Sequence, residues 1–383
     1  MSRAEKIVIV GGGIAGMTAA AAIAGQGFAV TLLESAPAFG EIGAGVTLSP
    51  NAMKGLDFIG ICEEVAAAGV EPTRQRIQHW EDGRTLVTMD RSTQREKYGA
   101  PYVTIHRADL HNLLTDAART AGVDMRTNSV VVDSEGAIAI LDDGSRVAGD
   151  LLIGADGVKS IIRQRFEPTE PHFTGHVAWR ALVPVTSELQ EMSDFPGIII
   201  GPGAMITRYN IRGSAAMNLV FFARQDGWTD DGWAIAADPS EIEAIYAGWC
   251  GDAQKLIEAA CHQPMFKWAI NARGALPDWI IDDNVTLIGD AAHAMTPFLG
   301  HGAACGIEDA VILARTLAAS SDIAEGLSRY QAARHERATW IQSESNANAD
   351  RMQGQDADMF GIGKAKDEES LGLFNYDCRL EPV

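Results

Sequence analysis

The segment that most constrains the fold is a glycine cluster near the beginning of the chain. An apolar, β-branched run at residues 6–10 leads directly into Gly11-Gly-Gly-Ile-Ala-Gly16, and small helix formers follow up to Gly25. Residues 28–33 form a second apolar run that ends in Glu34. This order predicts a strand, a tight turn, a helix and a second strand, the βαβ unit of a parallel sheet. The chain is therefore expected to have an α/β fold.

The glycine spacing also predicts a ligand. Gly11 permits the tight turn, Gly13 lets the backbone approach a pyrophosphate, and Gly16 allows the helix to pack closely on the strand. The N-terminal end of that helix, which includes Ala15, offers free N–H groups and a partial positive charge to phosphates. Glu34 stands where a carboxylate accepts hydrogen bonds from ribose hydroxyls. The motif predicts a dinucleotide and leaves the choice between FAD and NAD open.

Composition and charge argue against several other classes of protein. With 383 residues, the chain is long enough for two domains or for one large domain with an insertion. The net charge of −20 disfavours nucleic acid and an anionic membrane surface as partners. Five isolated cysteines without a CxxC pair indicate a reduced, cytoplasmic protein, and no set of residues has metal-ligand spacing. Residues 7–33 carry no charge, but their glycines favour a strand, turn and helix over a membrane anchor.

Two further motifs repeat the pattern of an apolar strand that ends in glycine and aspartate. Residues 150–155 lead into Asp156-Gly157, and residues 285–288 lead into Gly289-Asp290. Each motif could be only a strand-to-helix turn with a capping acid, whereas Asp290 could also accept a hydroxyl of a sugar-like chain. The glycines in residues 295–302 would allow backbone N–H groups to face a flat ligand.

Taken together, these motifs resemble the three signatures of the single-component flavoprotein hydroxylases that act on aromatic rings. Residues 106–110, 175–180 and 343–348 are also similar to stretches of salicylate hydroxylases and 6-hydroxynicotinate 3-monooxygenases, so the resemblance covers nearly the whole chain. The three signatures are Gly11-x-Gly-x-x-Gly16, Asp156-Gly157 with Ser160 and Arg163, and Gly289-Asp-Ala-Ala-His293 with Pro297, Gly300 and Gly302.

The resemblance implies that FAD is the cofactor and that residues of all three motifs bind it. Arg107 would reach a phosphate or the ribityl chain, Val130 would contact the adenine through its backbone, and Asp290 would bind the ribityl chain. The Asp156-Gly157 motif is associated with both FAD and NAD(P)H, and the chain has no second well-placed glycine motif for a nicotinamide nucleotide. The expected FAD-binding residues are Gly11, Gly13, Ala15, Gly16, Glu34, Arg107, Val130, Asp156, Gly157, Asp290, Gly300, Gly302 and Ala303.

The activity that the resemblance implies is ring hydroxylation. NADH or NADPH would reduce FAD, O₂ would add to give a flavin hydroperoxide, and its distal oxygen would pass to a phenol-like ring. A salicylate-like ring would lose carbon dioxide, whereas a hydroxybenzoate or a hydroxypyridine would only gain a hydroxyl group. Two alternatives remain: a flavoprotein of the same fold with other chemistry, such as a halogenase or a reductase, and a non-catalytic nucleotide-binding protein.

The pattern changes to long β-rich runs between residues 175 and 272, with turn signals at residues 201–203 and 212–213. We expect a Rossmann-type FAD-binding domain made of residues 1–72, 100–174 and 273–345, similar to para-hydroxybenzoate hydroxylase. Its insertion, residues 73–99 and 175–272, would be a mostly antiparallel substrate domain, with the pocket at the domain boundary. A long helix is predicted over residues 323–348, and residues 346–383 form a C-terminal tail that docks on the flavin domain or on a partner subunit. The sequence leaves monomer and homodimer open.

The substrate residues do not carry over simply from the relatives. Relatives often have a His-x-x-x-Tyr pair before the Arg-Gly turn; here Tyr209 matches the tyrosine, but Met205 occupies the histidine position. The nicotinate enzymes place histidines where this chain has Thr47 and Phe298. We therefore expect these four positions to line the substrate pocket, while the base that ionises a phenol is not identified.

Further candidates are polar residues near these positions. Tyr209, Arg208 and Arg180 could hold or polarise the substrate, but the arginines could equally be exposed or ion-paired residues of a sheet, and Tyr209 could be core packing. The flavin-loop residues Pro297 and His301 complete the candidate catalytic set with Tyr209. A solvated loop histidine is the alternative for His301.

Overall fold

A computed structural model describes residues 5–40, 45–228, 232, 235–354, 357–360 and 367–383. The strands in this part of the chain are β1 (Lys6–Val10), β2 (Ala29–Leu33), β3 (Gly45–Leu48), β4 (Arg74–His79), β5 (Thr85–Asp90), β6 (Val103–His106), β7 (Asp124–Arg126), β8 (Val131–Glu135), β9 (Ile138–Leu141), β10 (Arg146–Ala148), β11 (Leu151–Gly154), β12 (His172–Pro184), β13 (Gly197–Gly201), β14 (Ala204–Ile211), β15 (Ala216–Arg224), β16 (Ile235–Ala236), β17 (Phe266–Ala272), β18 (Ile280–Ile281) and β19 (Val285–Leu287).

The α-helices in the same part of the chain are α1 (Ile14–Gly25), α2 (Pro50–Phe58), α3 (Cys62–Ala68), α4 (Gln94–Tyr98), α5 (Arg107–Thr120), α6 (Gln190–Ser193), α7 (Pro239–Ile245), α8 (Gly251–Cys261), α9 (Asp290–His293), α10 (Gly302–Ala319) and α11 (Ile323–Met352). Short 3₁₀ helices cover Ile162–Arg165, Pro297–Leu299, Ala357–Phe360 and Leu373–Asn375.

A six-stranded sheet forms the core of the first layer, in the order β18-β19-β11-β1-β2-β7. All of its pairs are parallel except β18 with β19, at one edge. Every residue of β1 after Lys6 is buried, which explains why its sequence is a continuous apolar run rather than an alternating one. The predicted βαβ unit is thus at the centre of the sheet.

Helices α1 and α10 pack closely against each other beside this sheet. A Cβ added at Gly289 would lie 2.8 Å from the Ala15 Cβ, and one added at Gly306 would lie 2.9 Å from it. Small residues at these three positions therefore let the starts of the two helices approach each other. Because each helix start carries free N–H groups, this contact brings two potential ligand-binding ends together.

The second layer is an eight-stranded sheet in the order β16-β17-β12-β15-β14-β13-β4-β5, in which only β13 and β4 pair in parallel. One face packs on α7 and α8 through residues such as Trp179, Phe221 and Tyr246. Its opposite face packs near the segment after α9, through Met205 and Phe298. A parallel dinucleotide-type sheet with a mostly antiparallel second sheet confirms the predicted α/β class.

Some predicted limits differ from the elements of the structure. Strand β12 begins at His172, three residues before the expected domain limit, and α11 continues across position 345 to Met352. The turn signal at Gly201-Pro-Gly203 does separate two strands, β13 and β14. The division into domains itself stays a prediction. Of the helices that the structure describes, none combines the length and the apolar character needed to span a membrane.

Candidate active site

The turn between β1 and α1 has the geometry that the glycine motif predicted. Gly11 has a φ of +105°, and a Cβ there would lie 2.4 Å from the Ala155 carbonyl oxygen. A Cβ at Gly16 would lie 1.9 Å from the Gly11 carbonyl oxygen. At Gly13, by contrast, an added Cβ would meet no atom of the described residues within 4 Å. Two glycines are therefore required by the protein itself, while Gly13 faces open space at the start of α1.

Glu34 borders the same turn at the end of β2. Its carboxylate accepts hydrogen bonds from the backbone N–H groups of Gly12 and Ala36, both at 2.7 Å. The Glu34 carbonyl in turn accepts the N–H of Ser129 at 2.8 Å, which places the neighbouring Val130 beside it, with 37% of its surface exposed. The predicted ribose and adenine positions thus adjoin each other at the end of β2.

Asp290 is the first residue of α9. It is exposed, yet the surrounding protein desolvates its carboxyl and raises the pKa, while His293 and Arg107 act in the opposite direction. Because Asp290 is exposed to solvent and is also desolvated by the protein atoms around it, its carboxyl lies in a cleft. A Cβ at Gly302, the first residue of α10, would be 3.9 Å from its Oδ1 atom. Asp290, Arg107 and the Gly302-Ala303 helix start therefore share one cleft.

The Asp156-Gly157 motif braces this cleft. The Asp156 carboxylate accepts the Ser160 hydroxyl at 2.5 Å and the Ile161 N–H at 2.8 Å, so it caps a turn, as the simpler alternative proposed. Burial raises the pKa of Asp156, while these hydrogen bonds lower it. Arg163 is fully buried and donates to the carbonyls of Ala291 and Ala292. The motif thereby fixes α9 and its Asp290.

The loop before α10 exposes Pro297 and Gly300 but buries His301 completely. Gly300 has a φ of +70°, so the backbone there is left-handed. The His301 Nε2 atom lies 2.8 Å from Asn51 Nδ2, and its Nδ1 atom lies 3.4 Å from Glu368 Oε1. The alternative of a solvated loop histidine is therefore wrong.

The sheet face that carries Met205 also carries Tyr209. Met205 and Phe298 belong to one apolar cluster, and the rings of His176 and Phe298 meet edge to face at a centroid distance of 5.0 Å. The Tyr209 ring lies against β3, where a Cβ at Gly45 would be 2.3 Å from its Cε2 atom. Burial raises the pKa of Tyr209, while the charges of Arg107 and Arg180 lower it. Tyr209 is thus close to both the dinucleotide cleft and the second sheet.

The two candidate arginines lie on opposite faces of this sheet. Arg180 pairs across Val220 with Thr207, so all three share a face with Tyr209, and its guanidinium lies 5.3 Å from the Trp268 ring centroid. The side chains of Arg208 and Tyr209 alternate along β14. Arg208 is 1% exposed, donates to Gln78 Oε1 at 3.0 Å, and has its pKa lowered to about 10 by burial. The structure therefore does not bring Arg208 to the site.

Thr47 does reach the site, and the structure adds residues that the sequence did not suggest. The Thr47 hydroxyl would lie 3.4 Å from a Cβ at Gly300. Thr207 Oγ1 and Asn218 Nδ2 are buried polar atoms without a hydrogen-bond partner among the described residues. The register places both on the Tyr209 face, and the Asn218 Oδ1 atom accepts the Gly45 N–H at 3.1 Å. Strand alternation from Tyr209 would have pointed to Thr207, once the strand limits were known.

A dinucleotide-type turn beside an apolar, tyrosine-bearing sheet face fits the class of FAD-dependent monooxygenases of aromatic rings, and comparison with known proteins shows that class. The open approach at Gly13 and the cleft around Asp290 fit the pyrophosphate and the ribityl chain of FAD. The chain belongs to the family whose model, described as an FAD binding domain, matches residues 4–345.

Relatives of known activity cover most of the chain. It is 35% identical over 357 residues to 3-hydroxybenzoate 6-hydroxylase 1 of Aquipseudomonas alcaligenes, and the match covers 90% of this chain and 89% of that protein. It is 32% identical over 360 residues to 6-hydroxynicotinate 3-monooxygenase of Pseudomonas fluorescens, with 91% and 92% covered.

Solved structures share the fold at lower identity. A salicylate hydroxylase substrate complex superposes with a TM-score of 0.84 at 24% identity, over 100% of both chains. Klebsiella pneumoniae HpxO, complexed with FAD and uric acid, has a TM-score of 0.83 at 24% identity, over 98% of this chain and 96% of that one.

Proposed function

We propose that this enzyme uses NADH or NADPH and O₂ to hydroxylate a small phenol-like ring that carries an anionic group. The carrying observation is the position of Tyr209, whose ring contacts β3 beside the cleft and whose pKa responds to both Arg107 and Arg180. Two of the relatives take their names from rings with a hydroxyl and a carboxylate: 3-hydroxybenzoate 6-hydroxylase and 6-hydroxynicotinate 3-monooxygenase. A ring of this class matches a site with a phenol side chain and nearby positive charge.

The residues expected to hold FAD follow the cleft from end to end. When bound, FAD accepts a hydride from the nicotinamide and activates O₂ for transfer of one oxygen atom to the ring. The glycines 11, 13 and 16, together with Ala15, would receive the pyrophosphate, Glu34 the ribose, and Val130 the adenine. Asp290 and Arg107 would bind the ribityl and phosphate groups, Gly300, Gly302 and Ala303 would present backbone to the isoalloxazine, and Asp156-Gly157 would support the cleft.

Tyr209 would act as a hydrogen-bond donor rather than as a base. Burial raises the pKa of its hydroxyl well above the ordinary value of 10.0, so this hydroxyl keeps its proton at neutral pH. A protonated tyrosine can donate to a substrate phenolate and stabilise the electron-rich form of the ring. Because Met205 cannot accept a proton, the nearby charges of Arg107 and Arg180 would favour ionisation of the substrate instead.

The remaining residues would shape the pocket. Met205 and Phe298 contribute apolar surface that excludes water from the reacting ring. Thr47 and Pro297 would border the ring from the flavin side. His301, buried in its own network, would act through the loop rather than on the substrate.

The five cysteines are free in the structure, four of them buried, which agrees with the cytoplasmic location that we propose. Light scattering of the purified enzyme distinguishes a monomer from a homodimer.

The test follows NADH and NADPH oxidation in air with 3-hydroxybenzoate, 6-hydroxynicotinate and salicylate, for the wild-type enzyme and for Tyr209→Phe. We expect one ring to accelerate oxidation and to be hydroxylated, with one reduced nicotinamide consumed and one water formed. The product gains one oxygen by mass, and it also loses carbon dioxide where the new hydroxyl group replaces the carboxylate, as with salicylate. Tyr209→Phe should lower kcat for that ring about tenfold or more, the usual effect of one lost hydrogen bond to a charged group.

A peroxide assay provides the control for uncoupled oxidation. Oxidation that yields only peroxide with every carboxylated ring, while a neutral aromatic compound is hydroxylated, would contradict the proposed substrate class. An unchanged kcat in Tyr209→Phe would contradict the role of Tyr209.

A further inference from the structure

The contacts of Asn51 decide which nitrogen of the His301 imidazole carries the proton. Asn51 Nδ2 lies 2.8 Å from His301 Nε2 and 2.7 Å from Glu308 Oε1. Because an ionised carboxylate can only accept, the Asn51 atom that faces Glu308 is the amide nitrogen, which uses one hydrogen for each contact. His301 Nε2 therefore accepts a hydrogen bond, and the imidazole carries its proton on Nδ1.

The Nδ1 atom faces a carboxylate from the far end of the chain. Glu368 Oε1 lies 3.4 Å from it, and Glu368 is 7% exposed. A buried carboxylate is costly without donors, and an Nδ1–H of His301 would supply one. The same Oε1 atom would be 3.9 Å from a Cβ at Gly300, and Thr47 Oγ1 would be 3.4 Å from that Cβ. Glu368 thus reaches the left-handed turn of the flavin loop.

The C-terminal segment, residues 367–383, is anchored independently of His301. Glu369 accepts hydrogen bonds from Lys97 Nζ at 2.6 Å and from the Tyr98 hydroxyl at 2.7 Å. Phe374 is fully buried, with its ring centroid 5.4 Å from that of Tyr98 and 6.0 Å from that of Tyr102. This anchoring places Glu368 without help from the flavin loop, so the loop can depend on Glu368.

We propose that Glu368 is a positioning residue for the flavin loop. By accepting the Nδ1–H of His301, it holds the turn at Gly300 and the start of α10, where Gly302 and Ala303 offer N–H groups to FAD. The C-terminal segment then determines how tightly FAD binds, although it lies more than sixty residues beyond the loop. This inference depends on FAD binding and not on which ring is hydroxylated.

The test compares two substitutions of nearly equal size. Glu368→Gln keeps an oxygen that can accept from His301 Nδ1, whereas Glu368→Met does not. We expect Glu368→Met to raise the Kd for FAD, measured by titration of apoprotein, about tenfold or more and to shift the visible flavin spectrum. Glu368→Gln should remain within about threefold of the wild type. Glu381→Gln, on the same segment away from His301, is the control and should leave Kd unchanged.

A double-mutant cycle with His301→Ala separates positioning from general stability. If Glu368 acts through His301, Glu368→Met adds no further loss of FAD affinity to His301→Ala. Additive losses, a Glu368→Gln variant as weak as Glu368→Met, or an unchanged Kd in Glu368→Met would each overturn the proposal. If Glu368→Met apoprotein does not fold, Glu368→Asp, which withdraws the carboxylate by one methylene, takes its place with the same expected direction.

These readouts need no aromatic substrate. Failure of the ring-hydroxylation proposal would therefore leave this test intact, and failure of this test would leave the substrate class unaffected.

Discussion

At the residue scale, a single step along a strand decides which side chains can meet the substrate. Arg208 and Tyr209 are adjacent, yet Tyr209 faces the flavin side and Arg208 faces Gln78 and Phe195. Arg180 could have been either an exposed sheet residue or a substrate ligand from sequence alone. The register places it beside Val220, in line with Thr207, on the Tyr209 face. Arg180, Val220 and Thr207, which lie side by side across three strands, are all half-buried, as expected at the border of a pocket.

The two arginines should therefore respond differently to the same substitution. We expect Arg180→Gln to raise KM for a carboxylate-bearing phenol about tenfold, because a charge-assisted contact or a favourable charge is lost, with a smaller effect on kcat. Steady-state oxidation of reduced nicotinamide, coupled to product mass, measures both constants. Arg208→Gln is the matched control and should leave KM unchanged, since its guanidinium lies on the opposite face. Equal increases of KM in the two variants would refute this assignment.

At the element scale, two of the glycines at the start of α1 are required by the fold, whereas the third is required only for the approach of the cofactor. Gly11 and Gly16 are required by close backbone contacts, whereas Gly13 has φ −72° and ψ −174°, angles that alanine also adopts. The sequence motif was sufficient to predict the strand, turn and helix because their signals are local. It could not show that Ala15 contacts the Gly289 and Gly306 region, since that contact joins segments far apart in the chain.

Gly13→Ala should consequently weaken FAD binding without unfolding the protein. The new methyl group would meet no described protein atom but would occupy the space through which a pyrophosphate approaches. We expect the Kd for FAD to rise about tenfold or more, while the free energy of unfolding of the apoprotein changes by less than about 1 kcal/mol. Apoprotein titration and denaturant unfolding provide the two measurements.

The control for this prediction lies at the other end of the same helix. Gly25 is exposed, and a Cβ there would also meet no described atom within 4 Å. Gly25→Ala should leave FAD affinity unchanged and stabilise the apoprotein by about 0.5–1 kcal/mol. A loss of FAD affinity in Gly25→Ala as large as in Gly13→Ala would show that general changes in α1, and not the pyrophosphate approach, are responsible.

At the scale of the whole molecule, a buried charge cluster joins elements that the sequence could not connect. Glu308, Asp309 and Arg334 are all fully buried. Arg334 donates to Asp309 Oδ1 at 2.8 Å and to Glu308 Oε2 at 2.6 Å, and His293 lies 2.6 Å from Asp309 Oδ2. The cluster thereby fastens α11 to α10 and to α9, where Asp290 begins the flavin cleft.

Substitution of Arg334 should lower the free energy of unfolding by an amount that depends on pH. Burial raises the pKa of Glu308, but Arg337 and Arg334 outweigh burial and hold it well below the ordinary value of 4.5. Its contribution to stability is therefore present above pH 4.5 and is lost as pH falls towards the depressed pKa. Arg334→Met leaves the buried carboxylates of Glu308 and Asp309 with less opposite charge. We therefore expect the free energy of unfolding to fall by about 3–5 kcal/mol at pH 7.

Unfolding of the apoprotein by denaturant at a series of pH values checks this expectation. The difference between the wild type and Arg334→Met should shrink below pH 4.5, because protonated carboxyl groups no longer need the arginine. Arg119→Met, which removes an exposed ion pair with Asp116, is the control and should cause no measurable change. A constant difference at all pH values would contradict the electrostatic explanation.

The sequence by itself determined the dinucleotide fold, because glycine spacing and strand-helix order are local features that follow from backbone sterics and helix-end charge. FAD and the class of reaction were predicted from the resemblance of the three motifs to a known family. Only the tertiary structure decided which face each sheet residue occupies, that His301 is buried between Asn51 and Glu368, and that the C-terminal segment reaches the flavin loop. Such contacts depend on strand register and on packing between distant segments, and neither leaves a local pattern in the chain.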